Sequence, residues 1–124
     1  MKKILITICL LLVALLTNAQ RSIIHTNQVT VGHWSNAYED WLWEDPKKTI
    51  INFILQNNTI LADDVAESTY KIFDKIVDTE ELAMWDAIDE NNNECNIIID
   101  YTSPGTISVM YESIIFAYEV SYIE

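Results

Sequence analysis

The chain has 124 residues, of which half are hydrophobic, 7 are basic and 19 are acidic, and its net charge is −12 at pH 7. This length gives one modest domain with a single core. The acidic balance repels nucleic-acid phosphates and anionic lipids and favours solubility, so we expect neither nucleic-acid binding nor a membrane-surface role.

Residues 1–19 have the pattern of a secretory signal peptide. Two lysines open the chain, an apolar stretch follows over residues 4–16, and small residues precede Gln20. The apolar stretch is too short for a stable membrane span. We therefore expect cleavage between Ala19 and Gln20, a secreted or periplasmic location without a stable membrane anchor, and one β-barrel-like domain over residues 20–124.

Beyond this N-terminal signal-peptide helix, apolar and polar residues alternate, and β-branched and aromatic residues dominate. A period of two, with a turn signal about every ten residues, predicts an all-β antiparallel up-and-down meander. Eight short strands are enough to form a small barrel or a strongly curved sheet, and a closed barrel has no exposed edges. The predicted strands cover residues 28–34, 48–56, 59–64, 69–76, 81–89, 94–101, 106–112 and 114–122.

The segment over residues 64–90 has two interpretations. Val65, Ile72 and Ile76 keep helical spacing after an aspartate that could cap a helix. The strand interpretation makes residues 90–93 a hairpin loop and continues the alternation of the neighbouring segments. The β character of those neighbours, and the lack of a glycine between two adjoining helices, favour strands. The helical alternative stays open.

The sequence Gly32-His33-Trp34 lies on the first predicted strand. A Gly-x-Trp in this place, followed by an eight-stranded meander, resembles the lipocalin and wider calycin group. The resemblance implies a barrel whose mouth admits small, usually apolar ligands. It also implies that Gly32 allows close backbone approach and that Trp34 packs across the closed base of the barrel.

The predicted inward faces carry large aromatic side chains. If the interior is open, these side chains line a site for a small apolar ligand; if it is filled, they form the core. The candidate ligand-binding residues are Phe53, Tyr70, Trp85, Tyr101, Tyr111, Phe116 and Tyr118.

A second candidate site is the segment over residues 39–46, in which acidic residues alternate with Trp41 and Trp43. In an extended strand the two indoles share a face. If exposed, they could bind a sugar ring or a cationic partner; if buried, they would close one end of the core. The alternative function is therefore a protein-interaction or inhibitor module that uses this acidic surface against another exported protein.

Cys95 is the only cysteine after residue 19, so we expect no intramolecular disulfide. It can pair between molecules, act as a nucleophile or be buried. It shares a face with Ile97 and Ile99, which predicts a buried thiol rather than a nucleophile activated by His25 or His33.

Asp89, Asn91 and Asn93 alternate in a loop that resembles a calcium-binding pattern, but Glu94 stands where that loop needs glycine. We expect a polar hairpin loop instead. The sequence predicts no catalytic residue, no metal and no cofactor. The predicted function is a non-catalytic, lipocalin-like module that binds a small apolar ligand, and the interaction or inhibitor module is the alternative.

Overall fold

The computed structural model describes residues 22–63, 68–102 and 105–124, and the regular structure in these ranges is all β-strand. The strands are β1 (Ser22–Ser35), β2 (Asp40–Trp43), β3 (Lys47–Gln56), β4 (Thr59–Asp63), β5 (Ser68–Asp78), β6 (Leu82–Asp89), β7 (Glu94–Asp100), β8 (Thr106–Met110) and β9 (Ile114–Ile123). Within these ranges, no helix has the length and apolarity needed to cross a membrane.

Eight of these strands form a closed antiparallel barrel. The order is β1-β3-β4-β5-β6-β7-β8-β9, and β9 returns to pair with β1. The length of β1 allows this closure, because it pairs with β3 from Ser22 to Val29 and with β9 from Ile24 to His33. Register shifts around Thr26 mark irregularities of the kind that bend a strand and increase its twist. The ninth strand, β2, pairs with the last part of β1.

The core fills the inside of the barrel, because every second residue along β6, β7 and β8 is apolar and buried. The buried apolar residues are Ile24, Ile51, Phe53, Ile60, Ala62, Tyr70, Ile72, Ala83, Trp85, Ala87, Cys95, Ile97, Ile99, Ile107 and Val109. Full burial of a single large apolar side chain contributes about 1.5–3 kcal/mol. Buried Thr26 donates a 2.7 Å hydrogen bond from Oγ1 to the carbonyl oxygen of Ile51, so its hydroxyl is satisfied.

Asparagine and aspartate form tight turns in this chain, which has only two glycines. Asn57 and Asn92 take the left-handed conformation, with φ of 55° and 64°. In the β6–β7 turn, Asp89 Oδ1 accepts hydrogen bonds from the backbone N–H groups of Asn91 and Asn93, each at 2.9 Å. The predicted polar hairpin loop is thus confirmed.

The all-β meander is confirmed, and each of the eight predicted strands corresponds to a strand of the barrel. The helical alternative is wrong where the structure describes it, because β5 and β6 occupy that segment. The sequence prediction missed β2 and began β1 at residue 28 rather than at Ser22. The signal peptide, residues 64–67 and residues 103–104 of a predicted turn lie outside the described residues.

Candidate functional site

The seven predicted ligand-binding aromatic residues all contribute to the inside of the barrel. Phe53, Tyr70 and Trp85 are buried in the core. The remaining four are partly buried: Tyr101, Tyr111 and Tyr118 pack against the core, and Phe116 meets Tyr111 edge to face. The structure therefore brings the predicted residues together, while their binding of a ligand stays a prediction.

A polar cluster lies at the end of the interior next to the β6–β7 turn. The Tyr111 hydroxyl donates a 2.8 Å hydrogen bond to Asp89 Oδ2, and Tyr70 lies close to Tyr111. Burial raises the pKa of both tyrosines, and for Tyr111 the bond to Asp89 adds to this effect. Burial also acts to raise the pKa of Asp89, but the hydrogen bonds from Asn93, Tyr111 and Asn91 outweigh it and hold that pKa below its ordinary value.

The thiol of Cys95 is only 5 % exposed, and burial raises its pKa to about 11. At neutral pH it is therefore protonated and a poor nucleophile. The two histidines bond to glutamates instead: His25 Nε2 lies 2.7 Å from Glu124 Oε2, and His33 Nε2 lies 2.7 Å from Glu44 Oε2. The expectation of a buried cysteine is confirmed.

Trp85 holds an unusual polar atom inside the barrel. Its indole Nε1 is buried and has no hydrogen-bond partner among the described residues. The Nζ atom of Lys75 lies 5.1 Å from the centre of the same ring, a distance at which a cation is attracted to an aromatic face. The indole N–H is thus a buried donor without a partner in the part of the core that the structure describes.

The last part of β1 and its partner β2 form a two-stranded arm, defined as Gly32–Ser35 together with Asp40–Trp43. The register places Gly32 opposite Trp43 on one side and opposite Ile115 of β9 on the other. A Cβ on Gly32 would meet Ile115 Cγ2 at 2.7 Å and the Trp43 ring at 3.0 Å. The glycine is therefore needed so that these two side chains can approach the backbone of β1, as the resemblance implied.

Trp34 does not form a buried plug, because it is 41 % exposed. Its indole packs edge to face on Trp41, with ring centres 5.5 Å apart, and its Nε1 donates a 3.0 Å hydrogen bond to Asn36 Oδ1. These contacts fix the orientation of both rings. The Gly-x-Trp sequence thus builds the arm rather than the base of the barrel.

The arm forms one wall of an open groove of about 740 Å³, which we call the arm groove. Its aromatic residues are Trp34, Trp41, Tyr111 and, on β5, Phe73. Its acidic residues are Asp86, Glu94 and Glu112, and its remaining lining residues are Cys95, Asn96 and Met110. The groove thus combines aromatic walls with carboxylates, and among the described residues none that lines it is basic.

The two tryptophans predicted to bind a partner differ in their position relative to the groove. Trp41 lines the arm groove, whereas Trp43 lies over Gly32, is 51 % exposed and does not line the groove. The sequence analysis missed Phe73 and the three acidic residues of the groove. Phe73, Asp86 and Glu94 lie on β5, β6 and β7, and Glu112 lies in the β8–β9 turn. All four are far from the arm in sequence, so no local pattern could bring them together.

No family model, no curated protein and no solved structure matches the chain. The barrel and the arm groove are therefore the basis for a functional conclusion.

Proposed function

We propose that the protein is a non-catalytic interaction module that binds another exported protein through the arm groove. In this proposal the chain is exported, its signal peptide is cleaved between Ala19 and Gln20, and the mature protein meets its partner outside the cytoplasm. The closed barrel is the scaffold, and the arm presents the binding residues.

The observation that carries this proposal is the composition of the arm groove. Aromatic side chains are enriched in protein–protein interfaces because they bury a large area at a low entropic cost. Here Trp34 and Trp41 stay accessible while the barrel interior is packed with buried side chains. Exposed aromatic side chains grouped in one groove are of the kind that mark protein–protein interaction sites.

Site-specific photo-crosslinking tests the proposal. A benzophenone amino acid placed at position 73, in the groove, should form a discrete crosslink to one protein in extracts of the organism that makes this chain. The crosslink should disappear when the same protein also carries Trp34→Ala, because the partner then loses its aromatic contact.

The matched control places the same amino acid at position 122. Tyr122 is aromatic and 57 % exposed, as is Phe73, but it stacks on His25 and does not line the groove. The groove would not select a partner if both positions crosslinked equally. The same conclusion would follow if the crosslink from position 73 persisted in the Trp34→Ala variant.

A second candidate function, the binding of a small apolar ligand as in the lipocalin group, is favoured by the free indole N–H of Trp85. A ligand oxygen, or a buried water, would complete this donor. Native mass spectrometry of the protein purified from its own host tests the idea. A co-purified small molecule of constant mass, lost in a Trp85→Phe variant that still folds, would favour it; a ligand-free protein would count against it.

A further inference from the structure

We infer that the arm groove takes an extended, basic segment of its partner, with arginine or lysine side chains placed against the groove's carboxylates and indoles. This inference rests on the proposed function and deepens it, because it names the chemistry that the partner must carry.

The first argument is charge complementarity. Asp86, Glu94 and Glu112 line the groove, and no basic residue lines it within residues 22–63, 68–102 and 105–124. An acidic partner surface would add like charges, and a purely apolar one would strip water from three carboxylates without pairing them. A partner that brings cations avoids both costs.

The second argument concerns two aspartates of neighbouring strands, which are cross-strand partners beside the groove. Asp86 of β6 is the direct cross-strand partner of Asp74 of β5, and like charges in this arrangement destabilise a sheet. Asn96 of β7 donates a side-chain hydrogen bond to Asp86 Oδ1, which engages one of its oxygens. A cation bound beside this pair would relieve the repulsion, so binding and stability are coupled here.

The third argument is the aromatic wall. Trp34 and Trp41 are held edge to face, and the Trp34 indole is fixed by its bond to Asn36. Tryptophan offers the strongest cation–π attraction of the aromatic side chains, and arginine stacks on such rings. Because both rings are already ordered, little side-chain freedom is lost when a cation binds.

An extended segment suits the form of the groove. The groove runs across neighbouring strands, since its lining residues come from β6, β7, β8 and the arm. In an extended chain, every second side chain points the same way, about 6–7 Å apart. Two or three basic residues at alternate positions would therefore reach the indoles and the carboxylates together.

The test uses the full chain and a fluorescent octapeptide in which arginine alternates with serine, read out by fluorescence anisotropy. Binding should weaken about tenfold in the triple variant Asp86→Asn/Glu94→Gln/Glu112→Gln, if each surface pair contributes the usual fraction of a kcal/mol. Trp34→Leu should weaken it about threefold. Affinity should also fall as the salt concentration rises from 0.05 to about 0.2 M.

The control variant removes the same number of charges elsewhere. Glu80→Gln/Glu81→Gln/Glu119→Gln changes exposed acids in the β5–β6 turn and on β9, none of which lines the groove. It should change peptide affinity less than about twofold. A matched Tyr122→Leu variant should leave binding unchanged, and circular dichroism confirms that each variant folds.

The outcomes separate the inference from the proposed function. Equal losses in the two triple variants would overturn the inference, because binding would then depend only on net charge. Equal binding of free spermidine would also overturn it, since no segment would be needed. If position 73 still crosslinks one partner while the arginine peptide does not bind, the interaction module stands and its cationic chemistry fails.

Discussion

At the scale of single residues, Gly32 is the position where one added carbon has the clearest consequence. Alanine is favoured over glycine in an open strand by roughly 0.5–1 kcal/mol. At Gly32 the added Cβ would lie 2.7 Å from Ile115 Cγ2 and 3.0 Å from the Trp43 ring. Overpacking of this kind costs about 1–3 kcal/mol. We expect Gly32→Ala to lower the free energy of unfolding by about 1 kcal/mol in urea titrations.

The double variant Gly32→Ala/Ile115→Ala tests whether the clash with Ile115 causes this loss of stability. Ile115→Ala removes Cγ2 together with the rest of the branched side chain, so the two changes should be non-additive, with a coupling energy above about 0.5 kcal/mol. A Gly32→Ala variant as stable as the wild type would contradict the close packing of the arm on β1.

The bond from Tyr111 to Asp89 gives a prediction that depends on pH. Asp89 has a depressed pKa in the folded state, so its hydrogen bonds stabilise the fold above its unfolded pKa of about 3.9. That contribution is lost as the pH falls through the lower folded value. We expect Tyr111→Phe to cost about 1–2 kcal/mol at pH 7. The difference from the wild type should shrink at about pH 2–3, measured by urea unfolding.

Tyr38→Phe is the matched change at an exposed tyrosine, which is 75 % accessible. It should alter stability by less than about 0.5 kcal/mol at either pH. If the cost of Tyr111→Phe were the same at both pH values, the charge of Asp89 would not be involved.

At the scale of elements, His33 of β1 contacts Glu44, the residue directly after β2, at the root of the arm. The hydrogen bond from His33 and its charge lower the pKa of Glu44. This contact therefore acts above the unfolded pKa of the carboxyl group and is lost as the pH falls. In His33→Gln, we expect the Glu44 pKa to rise toward its ordinary value, measured by carboxyl-carbon NMR titration.

His25→Gln is the control for this titration. His25 bonds Glu124 and Asn52 at the far part of β1, so its replacement should leave the Glu44 pKa unchanged. An unchanged Glu44 pKa in His33→Gln would show that the contact is not populated in solution.

The strands of the barrel could be predicted because they have a simple cause. A strand with one buried face must alternate, and Ile51 with Phe53, or Ile97 with Ile99, repeats every second residue. β2 was missed because its four residues carry no buried side chain. The part of β1 before residue 28 was missed because buried Thr26 is polar and the register shifts beside it interrupt the alternation.

The candidate site could be predicted only in part, because the residues of the arm groove lie far apart in the sequence. The aromatic residues of the interior follow from strand alternation, and Trp41 follows from its exposed, acidic segment. Phe73 and Glu112 join Trp41 only after the barrel closes, because closure brings β5 and the β8–β9 turn near the arm. Neither residue belongs to a motif that would single it out in the sequence.

At the scale of the whole molecule, the closed barrel should protect its one buried thiol. Cys95 is 5 % exposed, and burial raises its pKa to about 11. An unfolded cysteine has a pKa near 8.5, so the thiolate fraction at pH 7 should be at least about 100-fold lower in the folded protein. We expect maleimide labelling of Cys95 to be slower by about that factor than in urea.

Peptide mapping by mass spectrometry separates this reaction from labelling of Cys9. The labelling rate of Cys95 should increase with urea along the unfolding transition, because exposure requires the barrel to open. Fast labelling in the absence of urea would show that the barrel opens locally around β7.

We propose the arm groove, rather than the barrel interior, as the binding surface. The four tryptophans report on both places, since Trp34, Trp41 and Trp43 lie in the arm and Trp85 lies in the core. The decisive measurement is ¹⁹F NMR of the protein labelled with 5-fluorotryptophan, titrated separately with the arginine octapeptide and with a fatty acid. If the groove is the binding surface, the peptide should shift the Trp34 and Trp41 resonances. The Trp85 resonance should stay unchanged in both titrations. A shift of Trp85, or peptide binding that leaves Trp34 and Trp41 unmoved, would contradict it.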